Sequence, residues 1–217
     1  VVGVSVINLN DAPEAIALSK QWIAENAVAG TVVGRLSVTD QDAGDRHKLE
    51  VSDDRFEIVG KKLVLKDGVV LDHESEPQIT VEVTARDRGP LTGGGASYTE
   101  TIVIEVRARN EAPPADDAGF HLAEGLPAGS LVGRVPASDP DSASKAIGRL
   151  TFAIAGGNEA GLFTIDPKTG DIFTTAALDR EAVAEHRLEV TVADRSGNPL
   201  SDTATITVTV DDVDEAP

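Results

Sequence analysis

Six acidic positions occur twice along this chain, in register. Glu25, Asp40 and Asp42 are matched 99 residues later by Glu124, Asp139 and Asp141, and Asp72, Glu74 and Asp87 are matched 107 residues later by Asp179, Glu181 and Asp194. In an extended segment residues i and i+2 project to the same side. Asp40 with Asp42, and Asp72 with Glu74, therefore each aim two carboxylates at one point. Two such anions about 4 Å apart repel by roughly 1 kcal/mol even in water, and by more where water is excluded. A cation relieves that repulsion. Clustered carboxylate oxygens without thiolate or imidazole are a hard donor set, which favours calcium, with its roughly six to eight oxygen ligands, over magnesium.

Other chemistries fit less well. The chain has no Cys, which removes disulfides and thiolate-bound zinc or iron–sulfur clusters. His47, His73, His121 and His186 stand at unmatched positions in the two halves, lack a paired ligand at zinc spacing, and are expected to be exposed. An EF-hand loop counted from Asp40 places Asp45 where Gly is needed and Val51 where Glu is needed, and one counted from Asp139 ends on Leu150. Calcium ligands must then come from separated segments. Catalysis is not expected: each carboxylate pair recurs once per half, which suits a structural ion better than a single cleft. No Ser, His and Asp constellation keeps register, and there is neither a Gly-x-Ser-x-Gly elbow nor a phosphate-binding glycine loop.

The elements that must position these acids are strands. Ile79, Val81 and Val83, then Ile102, Ile104 and Val106, then Leu188, Val190 and Val192, then Ile206, Val208 and Val210 alternate with polar residues, the pattern of half-buried antiparallel strands. Gly-, Pro-, Asp- and Asn-rich turns separate them at 42–45, 89–95, 156–158, 166–170 and 196–199. The pattern is weakest over 116–123, and a short helix is expected at 182–186. The second half carries eight extra residues between Asp141 and Phe163, in a stretch where loops tolerate insertion. A third element occurs three times, as Asn8-Leu9-Asn10-Asp11-Ala12-Pro13, Ala108-Arg109-Asn110-Glu111-Ala112-Pro113 and Asp212-Val213-Asp214-Glu215-Ala216-Pro217. Residues 1–13 read as the last strand and linker of a preceding repeat, followed by repeats at 14–113 and 114–217.

Composition sets the outer bounds. With 19 Lys and Arg against 37 Asp and Glu the 217-residue chain carries a formal charge of −18, which argues against nucleic acid as a partner, because so acidic a surface repels phosphate unless metal ions intervene. Hydrophobic residues at 41% supply packed cores for one large or two small domains. Five Phe, Trp22 and Tyr98 leave few platforms for stacking sugars or bases. No apolar run approaches the ~20 residues of a membrane span. Without an initiator Met or a signal peptide, the chain reads as a piece of a longer polypeptide whose targeting and anchoring lie elsewhere.

The motifs that hold register resemble the cadherin repeat family over essentially the whole chain. In the first repeat they are Ile23-Ala24-Glu25-Asn26, Asp40-Gln41-Asp42, Leu71-Asp72-His73-Glu74 and the strand end at Asp87. In the second they are Ala123-Glu124-Gly125, Asp139-Pro140-Asp141, the run from Phe163-Thr164-Ile165-Asp166 to Gly170-Asp171-Ile172, Leu178-Asp179-Arg180-Glu181 and Asp194. The resemblance implies an all-β fold of two tandem seven-stranded Greek-key, immunoglobulin-like sandwiches arranged end to end, with up to three structural Ca2+ ions at each junction. It also implies ligands. Glu25, Asp72 and Glu74 would face Asn110, Glu111, Asp139, Asp141 and Asp194 at the inner junction. Asn8, Asn10, Asp11, Asp40, Asp42 and Asp87 match the N-terminal junction, and Glu124, Asp179, Glu181, Asp212, Asp214 and Glu215 the C-terminal one.

Departures qualify what carries over. All three linkers lack the last Asn of the family's Asp-x-Asn-Asp-Asn-x-Pro, and the short Asp-Glu-Ala-Pro ending is more like bacterial cadherin-like repeats. At the inner linker Ala108 replaces the leading Asp between Arg107 and Arg109, so fewer or weaker calcium ions and an easier bend are expected there. Trp22 precedes Glu25 by three residues, reads as a buried strand anchor, and does not carry over the strand-swap dimer of vertebrate adhesion cadherins. The expected function is a calcium-rigidified extracellular or cell-surface module of a larger protein serving cell or matrix adhesion. Its partners would be neighbouring repeats and identical molecules. The alternative is a calcium-dependent polysaccharide-binding module, with Tyr98 beside the Gly93-Gly94-Gly95 loop as its one aromatic platform.

Overall fold

The computed structural model of the chain describes residues 10–42, 45–87, 95–143 and 149–214. The chain divides into two compact units, Val1–Arg109 and Asn110–Pro217.

The first unit is a sandwich of two sheets, antiparallel except where the short strand Trp22–Ala24 joins. Strands β1 (Ala15–Leu18), β3 (Val32–Thr39), β6 (Lys62–Leu65) and β5 (Phe56–Val59) are neighbours in one sheet. Strands β2 (Trp22–Ala24), β8 (Ser97–Arg107), β7 (Gln78–Arg86) and β4 (Lys48–Val51) form the other. The opening strand changes sheets part way: β1 pairs antiparallel with β3, and after Ser19 and Lys20 the chain resumes as β2, parallel to β8. Counting β1 and β2 as one divided strand gives seven strands in Greek-key order. The alternating residues face inward: Ile79, Val81 and Val83 are at most 1% exposed and Ile104 is fully buried, in one cluster with Phe56, Leu63 and Leu65. Burying each such side chain stabilises the sandwich by about 1.5–3 kcal/mol.

The second unit repeats the plan. Strands β10 (Leu131–Arg134), β13 (Asp171–Thr174) and β12 (Phe163–Ile165) make one sheet. Strands β11 (Leu150–Gly156), β14 (Glu185–Asp194), β15 (Ser201–Asp211) and β9 (Ala118–Ala123) make the other. The stretch with the weakest sequence pattern is β9, paired parallel with β15, and the first half of its divided strand survives as one bridge between Ala115 and Ala137. Leu188, Val190, Val192, Ile206 and Val208 are fully buried. The eight-residue excess is spread through the region: relative to β4, three residues precede β11, three lengthen it and two follow it.

Three expectations are corrected here. Residues 182–186 form no helix: a single turn, with the Val183 N–H donating to the Asp179 carbonyl at 3.0 Å, leads into β14, where pairing with β15 outweighs an isolated helical turn. Trp22 is not the buried anchor, because Ile23 beside it points inward at 1% exposure. The half-buried indole faces outward, with the Lys20 ammonium 4.1 Å and the Arg107 guanidinium 4.2 Å from its centroid. His121 is exposed, with its ring 3.0 Å from the Asp211 carboxylate, but His47, His73 and His186 are half-buried against partners. These are the Asp40 carboxylate for His47, the Val106 carbonyl for His73 and the edge-on Phe163 ring for His186.

Candidate metal centre

Each unit gathers its repeated acids at two ends, since Asp72 and Glu74 precede β7 whereas Asp87 follows its nine residues, about 30 Å farther along. At the end holding the Asp-x-Asp, both units use the same three contacts. Asn10 donates its side-chain amide to Asp87 Oδ2 at 3.0 Å, as Asn110 does to Asp194 Oδ2 at 2.8 Å. The Asp11 N–H donates to Asp42 Oδ2 at 2.7 Å, and the Glu111 N–H to Asp141 Oδ2 at 2.9 Å. The Asp42 N–H donates to Asp40 Oδ1, and the Asp141 N–H to Asp139 Oδ1, each at 2.9 Å. Asp87 and Asp194 accept further N–H groups, from Ala96 in the first unit and from Ser196 and Leu200 in the second. Backbone donors thus fix one oxygen of a carboxylate and aim the other.

In the second unit that aim leaves a deficit. Asn110 Oδ1, Asp139 Oδ2 and Asp141 Oδ1 are buried and accept no hydrogen bond among the described residues. Orphaned buried acceptors cost about 1–3 kcal/mol each, more when charged. Burial, together with the Asp141 and Asp194 carboxylates, pushes Asp139 above the usual carboxylate range against the pull of the Asp141 N–H. Burial also raises Asp194, but hydrogen bonds from Asn110, Ser196 and Leu200 outweigh it and bring Asp194 down to about 2. Buried, undonated oxygens, anionic on Asp139 and Asp141 and neutral on Asn110, suit a hard divalent cation, so these residues fit calcium.

The first unit differs by two side chains. His47 Nε2 lies 2.7 Å from Asp40 Oδ2, and with the Asp42 N–H it holds Asp40 below its ordinary value. Asp45 joins Asp40 and Asp42, with one carboxylate oxygen from each within 4.8 Å of the others. Neither residue has a repeat counterpart, so internal comparison missed both. Proximity in Asp-x-Asp-x-x-Asp was the available signal for Asp45.

At the opposite ends a buried Glu organises the group. Glu25 is fully buried and accepts the His73 N–H at 2.8 Å and the Arg109 N–H at 2.5 Å. Glu124 accepts the Arg180 and Val213 N–H groups, each at 2.9 Å, which lowers its pKa. The residue after each Glu has a left-handed backbone, φ 51° at Asn26 and 70° at Gly125, and donates its N–H to the Leu71 or Leu178 carbonyl at 3.0 Å. Only Gly adopts that conformation freely, with Asn next best. Asn26→Ala is therefore expected to destabilise the first unit by about 1 kcal/mol more than Asn26→Gly, read from urea unfolding. Glu25→Ala is expected to cost about 2 kcal/mol or more even in chelator, because two backbone donors lose their acceptor.

Around Glu25, the Glu74 carboxylate comes within 4.8 Å, while Asp72 accepts the Glu74 N–H and both donors of Ser75, which lower its pKa. Around Glu124, Glu181 and Asp212 come within 4.8 Å. The Glu181 N–H lowers that carboxyl, but burial and the Glu124 and Asp179 charges outweigh it and push it up. Asp179 binds the Ala182 N–H at 3.1 Å, and Asp214 is exposed. Asn8 and Glu215 lie outside the described residues. Arg107 divides its charge between Trp22 and Glu105, 3.0 Å away.

Two sandwiches that present the same acids on the same elements define a tandem repeat rather than an enzyme with one cleft. Residues 119–211 match the model of the cadherin domain, and the chain belongs to the cadherin repeat family. It is 31% identical over 201 residues to human Protocadherin Fat 4 and 34% identical over 206 residues to human Protocadherin-16, each alignment covering 89% of this chain. The chain spans only 4% and 6% of those proteins' lengths. Among solved structures, extracellular cadherin domains 3–6 of Protocadherin Gamma B2 match 94% of this chain and 52% of theirs, with 25% identity and a TM-score of 0.71. These curated relatives are mammalian, so the bacterial character read from the short linker ending finds no support among them.

Proposed function

We propose that this chain is a calcium-rigidified segment of a larger extracellular adhesion protein. The observation that carries this reading is the trio of buried, undonated oxygens on Asn110, Asp139 and Asp141. A divalent cation would supply the charge those oxygens lack. Asn110, Glu111, Asp139, Asp141 and Asp194 would hold it from one repeat, with Glu25, Asp72 and Glu74 contributing from the other. Asn10, Asp11, Asp40, Asp42 and Asp87 would serve a preceding junction, with Asn8 from the same linker. Glu124, Asp179, Glu181, Asp212 and Asp214 would serve a following one, with Glu215. Ions shared between consecutive repeats cancel like charges that otherwise repel, and so stiffen the joint. Extracellular modules bind calcium at roughly 10⁻⁴ to 10⁻³ M, so the sites would fill outside the cell and empty inside it.

Ala108 removes one carboxylate from the inner linker, so fewer or weaker ions are expected there than the full family motif would hold. A polysaccharide held through calcium has no comparable support: the half-buried Tyr98 packs on the core and donates to Glu100 at 2.8 Å, offering no open platform. Small-angle scattering tests the reading. Millimolar calcium should narrow and lengthen the distance distribution relative to chelator, and identical distributions in the two would contradict it.

A further inference from the structure

We infer that the second unit carries an anion-binding pocket for a sulfated glycosaminoglycan, beside its calcium residues but lined by other side chains. Arg149, Lys168 and Arg195 converge with Leu150 on an open cavity of about 430 Å³. All three cations are exposed, and none forms an ion pair among the described residues. Among the described residues only six of the seventeen Lys and Arg side chains form an ion pair, so what sets these three apart is that they meet at one cavity. The acids nearest in sequence do not neutralise them: Asp166 accepts the Lys168 and Thr169 N–H groups, and Asp194 turns inward to Asn110, Ser196 and Leu200.

The first unit has a cavity at the matching place. Its volume is about 480 Å³, and its lining includes Arg46, Lys48 and Arg86. Arg46 and Arg149 each come one residue before the position that faces the strand-closing Asp87 or Asp194 in register. Lys48 sits directly opposite Arg86 across β4 and β7, a like-charge pairing that costs stability unless an anion intervenes. That cavity is weaker, because Asp87 lines it and Lys48 pairs with Glu50 at 2.6 Å.

The chemistry of the lining selects the ligand. Arg and Lys side chains only donate, and Leu150 is apolar, so the described side chains of the second pocket offer no acceptor. An extended acidic peptide turns alternate side chains to opposite sides, which leaves the carboxylates facing one surface about 7 Å apart. A sulfated disaccharide brings several anionic acceptors within a small-molecule-sized volume, and guanidinium forks match sulfate and carboxylate oxygens in pairs.

The test uses the full chain with heparin, desulfated heparin and polyglutamate as probes, in chelator and in calcium. Heparin is expected to bind in both media and to weaken as salt rises. The double substitution Arg149→Glu with Arg195→Glu should weaken it about tenfold or more without lowering the melting temperature, and Arg149→Gln with Arg195→Gln should weaken it less. Absence of heparin binding, binding only in calcium, equal binding of polyglutamate or desulfated heparin, or full affinity in the double variant would each overturn the inference. Should the Glu variant fail to fold, the Gln variant decides alone, and unchanged affinity in it overturns the inference.

Discussion

Asp139→Asn is expected to stabilise the second unit in chelator and to remove most of its stabilisation by calcium. Asp139 is 6% exposed, pushed above its ordinary value of 3.8 by burial and by the Asp141 and Asp194 carboxylates. A carboxyl whose folded pKa exceeds its unfolded value destabilises the fold at neutral pH, and the penalty disappears as pH falls through the raised value. Asn keeps the Oδ1 acceptor for the Asp141 N–H and replaces the undonated Oδ2 with a donor facing two anions. The gain in chelator should therefore shrink on acidification towards pH 4. With calcium the sign reverses, because the ion loses an anionic ligand. A site occupied at about 100 times its Kd contributes about 2.7 kcal/mol, a shift of several degrees in the melting temperature for units of this size. Circular dichroism melts of both proteins, in chelator and in calcium, measure all four values.

Phe56→Ala should have the largest effect on stability and none on the second unit. Phe56 is 1% exposed and packs among Leu63, Leu65 and Ile79. Truncating a buried Phe costs about 3–5 kcal/mol, a large fraction of what holds a domain of this size together. Trp22, the sole Trp, belongs to the first unit, so its fluorescence follows that unit alone while circular dichroism follows both. The fluorescence transition should move to much lower denaturant, and a second circular dichroism transition should stay where it is in the parent chain. A shift of both would show that the units unfold as one.

Much of the fold was legible because both faces of a strand leave a period of two. The four alternating runs, from Ile79 to Val210, became the central strands β7, β8, β14 and β15, with those residues inward. The divided first strand was not legible: three- and four-residue strands such as β1 and β2 are too short to show a period, and their sheet changes are set by pairing with β3 and β8. Trp22 misled because ring size predicts burial while strand parity decides it, and Ile23 holds the inward parity. At the site, repeat register picked out acids that the structure holds through matched donors: the Asn10 and Asn110 side-chain amides on Asp87 and Asp194, and the Arg109 and Val213 N–H groups on Glu25 and Glu124. Register could not show that Asp40 would be bound by His47, since the apolar Leu150 stands at the matching place in the second half.

Calorimetric titration of the chain with calcium, from chelator-treated protein, tests the central claim most directly. The account predicts saturable binding in the submillimolar to millimolar range, a higher melting temperature, little response to magnesium, and selective loss of the second unit's response in Asp139→Asn. An absence of heat and of any melting shift at several millimolar calcium would contradict it. The buried oxygens of Asn110, Asp139 and Asp141 would then have to be satisfied by water alone.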